Sequence, residues 1–138
     1  MKYLKLLEQF INEGRLSTKE VLAVVDKVYP KIIKKLGKNK RGTPKVEVHD
    51  NIYARISGIE GHNGEANPHA EYERHVNKIY LYTPRMTDKE QIVRSLLHEY
   101  THSLQDPKNK EKHKKLSYDE NPDEIEAHKA EEDWKKYI

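Results

Sequence analysis

An α+β fold is predicted for this 138-residue chain from three observations. Apolar residues recur at helical spacing in segments near both ends, and in a central stretch they alternate with polar ones, as along half-buried strands. The length suits one domain, residues 1–138, at the usual ~100–200 residues per domain. Charged residues make up 36% and hydrophobic ones 35%, with one Phe, one Trp and two Met. The core must therefore be small and built from Leu, Ile, Val and some of the nine Tyr.

Tyr3, Leu4, Leu7, Phe10 and Ile11 space a first helix, which Gly14 stops. Ser17 followed by Glu20 is a capping-box pattern that opens a second helix through Val21, Val24, Val25 and Val28. Pro30 is expected to kink or break it, with Ile32, Ile33 and Leu36 carrying further turns to Gly37. Val46 and Val48, then Ile52, Ala54 and Ile56, predict two strands around a turn at Asp50-Asn51. Gly58, Gly61, Asn63, Gly64 and Pro68 make 57–70 a loop, and Val76, Ile79 and Leu81 place another strand at 75–82. A small, mostly antiparallel sheet of about three strands follows. Thr87 and Glu90 suggest a second capping box, opening a helix over 88–105 through Ile92, Val93, Leu96, Leu97, Tyr100 and Leu104. Asp106-Pro107 stops it. Asn121 as N-cap and Pro122 at the first helical position start a last helix over 122–137.

No run of ~18 apolar residues exists, and Lys2, Lys5 and Glu8 interrupt the N-terminal segment, so neither a membrane span nor a secretory signal is expected. A cytoplasmic or host-cell-internal protein is the expectation. Without cysteine the chain has no disulfide, thiolate metal site or Cys nucleophile, and any metal must be held by His, Asp or Glu. The net charge of +3 is nearly balanced. Basic runs at Lys31–Lys45 and Lys108–Lys115 read as solvated surface, so nucleic acid is not expected as a partner. No GxSxG, Walker-type or GxGxxG pattern occurs.

The motif that carries chemistry is His98-Glu99-Tyr100-Thr101-His102, an HExxH sequence inside the 88–105 helix. Histidines four apart share one helix face, so both imidazoles can reach one Zn²⁺ at ~2.0–2.1 Å. Glu99 points about 100° round the helix, beside the open metal position rather than in the ligand shell. On the last helix Glu124 and Glu126 flank the stripe of Ala127, Ala130, Trp134, Tyr137 and Ile138 by similar angles, so periodicity does not choose a third ligand between them. His49, His62, His69 and His75 lack ligand spacing tied to this motif.

The segment from His98 to Gln105, followed by Asn121-Pro122-Asp123-Glu124-Ile125-Glu126-Ala127, resembles the active-site half of compact gluzincin-type HExxH metallopeptidases, including small microbial and phage-encoded ones. The likeness covers roughly residues 75–130. It implies a zincin-like fold, zinc as cofactor, hydrolysis of peptide bonds and a peptide or protein substrate. It also implies His98, His102 and Glu124 as ligands, Glu124 standing three residues before a small residue, and Glu99 as general base. Tyr118 is the candidate for stabilising the oxyanion, with His113 as an alternative, and His128 is either a support for the ligands or a solvated residue. An extended substrate would add to a sheet edge near 75–82. Two rival functions are kept. One is a zinc-bearing binding or regulatory module whose open position is closed by His128 or Glu126; the other is a polyanion-binding domain using the Lys31–Lys45 segment.

Overall fold

The computed structural model describes residues 16–50 and 69–138. The expected helix at 3–13 and strand at 52–56 lie outside these residues. Within them the chain is α+β: helix α1 (Thr18–Leu36), strands β1 (Lys45–His49), β2 (Ala70–Glu73) and β3 (Lys78–Tyr82), then helices α2 (Lys89–Leu104), α3 (Asn109–Lys112) and α4 (Pro122–Glu131). No described helix is long and apolar enough to cross a membrane.

The capping box at α1 forms as expected: Ser17 Oγ accepts from Glu20 N–H, and Glu20 Oε1 accepts from Ser17 N–H, both at 3.1 Å. Pro30, however, does not end the helix. Pro30 and Asp26 are both exposed, so solvent can reach the carbonyl that loses its helical partner. Val25, Val28 and Ile32 are buried on either side of Pro30 and hold the helix to one core. Gly37 then closes it at φ 94°, a left-handed backbone that suits glycine.

The sheet has the order β1-β3-β2 and is mixed rather than mostly antiparallel. β1 runs parallel to β3 (Val46 opposite Ile79, Val48 opposite Leu81), while β2 runs antiparallel (Tyr72 opposite Ile79). β2 begins at the end of the expected 57–70 loop and runs through 71–73, for which no element was expected, because Ala70-Glu71-Tyr72-Glu73 has little intrinsic strand preference and forms through its pairing with β3. A turn at Arg74–Asn77 joins the two, with Asn77 at φ 52°, where asparagine is well tolerated. β3 is the central strand, so residues 78–82 offer no free edge.

Ile79 and Leu81 point from β3 into a core shared with Val21, Val25, Val28 and Ile32 of α1 and Ile92, Val93, Leu96, Leu97 and Tyr100 of α2. Helix α2 thus lies on the sheet with its apolar stripe inward. Its N-cap is Asp88, one residue later than expected, and the side chain accepts from Gln91 N–H at 2.9 Å. Glu90 pairs with Arg94 instead, at 3.1 Å. At the other end Arg74 donates to the carbonyls of His102 and Gln105, and Asn39 to that of Ser103. These donors satisfy helix-end carbonyls, and the guanidinium opposes the negative end of the helix dipole.

Asn121 caps α4 and Pro122 opens it, as expected. The helix ends at Glu131 rather than near 137, and a separate 3₁₀ turn at Trp134–Tyr137 returns Tyr137 to the core. The predicted stripe therefore holds only in part: Ala127 and Tyr137 are buried, whereas Ile138 is exposed.

Leu96 is fully buried in the core that α2 shares with α1 and β3. Leu96→Ala should lower the unfolding free energy by about 2–5 kcal/mol, measured by urea denaturation with an unchanged m-value.

Candidate metal centre

His98 and His102 lie one turn apart on α2, partly buried, with their Nε2 atoms 3.1 Å apart. The other nitrogen of each ring is committed elsewhere. His98 Nδ1 is 2.8 Å from Glu131 Oε2, and His102 Nδ1 is 2.7 Å from Gln105 Oε1. An ionised carboxylate only accepts, and the Gln105 amide is oriented by its Nε2, which donates to Asp123 O and Glu126 Oε1 at 2.9 Å each. Both Nδ1 atoms therefore carry hydrogen, and in neutral rings both Nε2 lone pairs face one point.

Glu124 completes the triangle from the first turn of α4. Its Oε1 is 3.0 Å from His102 Nε2, and its Oε2 is 3.2 Å from His98 Nε2. Oε2 is buried yet makes no aligned hydrogen bond. α4 reaches this position because Gln105 and Asn109 both hold Asp123, and because buried Ala127 lets it approach α2 closely. Glu126 is turned away from the imidazoles and takes the Gln105 bond instead.

Three electron-rich donors around one point require a positive charge. In the metal-free protein protons supply it. Burial works against a charged His98, but the Glu124, Glu131 and Glu99 carboxylates outweigh burial and push it up to about 10. His102 is raised in the same way, against burial, chiefly by Glu124 and Glu99. Burial alone would raise Glu124, yet the facing imidazoles and the Tyr118 hydroxyl hold it well below the usual carboxylate range.

A divalent cation meets the same requirement. Donors on a tetrahedral ion with bonds of about 2.0–2.1 Å stand about 3.3–3.4 Å apart. Here the two Nε2 atoms stand 3.1 Å apart, with Glu124 Oε1 3.0 Å from His102 and Oε2 3.2 Å from His98, so small adjustments accommodate an ion. Glu99 is close enough to count as a donor too: its carboxylate, with the His98 and His102 nitrogens, forms a group within 4.8 Å. Glu124 is the nearer carboxylate, and Glu99 is almost wholly buried beside the centre. Burial raises the Glu99 pKa, opposed by the two imidazoles.

Tyr118 lies in the 3₁₀ turn before α4 with its hydroxyl 2.9 Å from His128 Nε2. Burial, with the nearby Glu124 acceptor, holds its proton well above the usual tyrosine range. His128 is half exposed and is not simply solvated, since its Nδ1 contacts Glu131 at 3.0 Å. His113 ends α3, and none of the described contacts joins it to the centre. Glu131 and Gln105, which fix the two ligand-bearing rings, were not singled out by the sequence. The available signal was spacing: Glu131 follows Glu124 by seven residues on the same helix face, and Gln105 follows His102 by three.

No protein-family model matches the chain, and no curated protein or solved structure matches it either. The centre stands on its own geometry.

Glu124→Ala should weaken binding of a divalent cation by orders of magnitude, whereas Glu126→Ala should cost little, because of the two only Glu124 faces both imidazoles. Zinc titrations of the two variants against a competing chelator check this.

The raised His98 also gives a pH signature. A proton held on His98 by its carboxylate neighbours stabilises the metal-free fold fully below the unfolded value near 6.5, and this is lost as pH rises toward about 10. Chelator-treated protein should therefore lose thermal stability over that range. Protein loaded with a divalent cation, which would hold the imidazoles neutral, should not, and scans at stepped pH compare the two.

Proposed function

We propose that this chain is a zinc-dependent peptidase with a zincin-like fold, using His98, His102 and Glu124 as ligands and Glu99 as general base. One observation carries the reading: two imidazoles with their Nδ1 atoms already engaged converge with one carboxylate at 3.0–3.2 Å, next to a buried second carboxylate. Two nitrogens and one oxygen favour zinc over Ca²⁺ or Mg²⁺, which prefer oxygen donors. Three protein ligands leave a tetrahedral ion one open position, as in catalytic rather than structural sites. Zinc held there supplies Lewis acidity toward a peptide carbonyl and lowers the pKa of a water to near 7.

The remaining chemistry belongs to the chain. Glu99, made more basic by burial, accepts a proton from the attacking water and passes it to the departing amide nitrogen. Tyr118 keeps its proton at neutral pH and can donate a hydrogen bond to the carbonyl oxygen as negative charge develops there. An open pocket of about 400 Å³, lined by Tyr118, Ile125 and His128 among others but by none of the three ligands or Glu99, adjoins Tyr118 and His128 and is where we place the substrate. The helix pair laid on a small sheet supports the zincin-like assignment, with substrate placed along this pocket rather than on β3, which is already paired on both sides. A cysteine-free chain loses nothing to a reducing environment, and we place its action in the cytoplasm of the producing or host cell.

Glu99→Gln is nearly isosteric and leaves all three ligands in place. It should retain about one zinc per chain and the parent's melting behaviour while losing hydrolysis of an unfolded protein substrate by roughly 10²–10⁴-fold. Undiminished activity in the variant, or a parent that takes up no zinc, would contradict the proposal.

A further inference from the structure

We propose that His128 is an exchangeable fourth ligand of the same ion, filling the open position at rest and yielding it to substrate. This rests on the zinc reading above and concerns how that site is regulated. His128 follows Glu124 by four residues on α4, the spacing that puts both on one helix face. Its ligand atom lies within 4.8 Å of those of His98 and Glu124, and its ring centroid is 4.7 Å from that of His98.

The support around His128 matches that of a ligand. Glu131 Oε2 accepts from His98 Nδ1 at 2.8 Å and lies 3.0 Å from His128 Nδ1 in an ion-pair contact, so one carboxylate oxygen neighbours the Nδ1 side of both rings. Metal-bound histidines carry this kind of outer partner almost without exception. A merely solvated histidine gains little from it.

His128 Nε2 is held by the Tyr118 hydroxyl, which also interacts with Glu124. This arrangement leaves the fourth position open. In the other arrangement Tyr118, already 57% exposed, turns outward and Nε2 takes the metal. The His128 side chain is itself 54% exposed and borders the open pocket, so its ring can turn against little packing. No covalent bond changes, only one donor for another. Glu126, the other candidate for closing the site, is occupied by Gln105.

The test uses the full chain loaded with Co²⁺, after metal analysis has measured uptake. Each coordinated imidazole bearing Nδ1–H gives one exchangeable, hyperfine-shifted proton signal. Three such signals are expected at rest, falling to two when acetohydroxamate takes the open position. His128→Ala, or His128→Gln if the first folds poorly, should give two with or without the hydroxamate. Two signals in the unliganded parent overturn the proposal, as do three that persist in excess hydroxamate, which would describe a permanently closed site. Failure to take up cobalt brings down the metal reading itself, a result distinct from either.

Discussion

The organising constraint is electrostatic: two imidazole nitrogens and a carboxylate are held within 3.2 Å of one another and cannot stay together without a positive charge. Bringing three such donors together has a cost that the rest of the fold must cover. Desolvation is resisted by hydrogen bonds on the far side of each group, Glu131 behind His98 and Gln105 behind His102. With those nitrogens already engaged, neither ring can turn away to relieve the crowding. The site is thus preorganised by what lies behind its ligands as much as by the ligands themselves.

Precision in the donor triangle needs two helices fixed relative to each other. α2 is anchored along its length by the buried Ile92, Val93, Leu96, Leu97 and Tyr100, and at its C-terminal end by Arg74 and Asn39. The Tyr100 hydroxyl adds a tie to Gly37 at the end of α1. α4 has less apolar surface, with Ala127 its buried residue, and depends on polar contacts from Gln105 and Asn109 to Asp123. One side of the site is therefore set by a hydrophobic core and the other by a short polar clamp.

This division explains what the sequence disclosed. α2 could be read directly because its apolar period is strong, and with it the shared face of His98 and His102. Asn121-Pro122 likewise marked the start of α4 through local stereochemistry. The sheet was less legible, since β2 takes its structure from β3 and the parallel pairing of β1 with β3 joins residues far apart in sequence. At Pro30 the sequence left open a kink or a break, and the break is averted because packing on both sides of the proline holds the helix to one core. Glu124 and Glu126 could not be separated by period because α4 has so thin an apolar stripe. Glu131 was missed because its role depends on the angle at which two helices meet, and no single helix records that angle.

Among the described residues, His98, Glu99, His102, Glu124 and Glu131 fall within one stretch of chain running from α2 through α4. In a protein without cysteine, an ion bound by residues 98, 102 and 124 would act as a cross-link, tying the loop between the two helices shut. The restriction would fall mainly on the unfolded ensemble, which would lose the freedom of that loop, as it does when a disulfide closes a ring. Because the tie is local, it also shortens the search by which the helices find one another. A ligand set that serves chemistry in the native state would then also bias the order in which the native state is assembled.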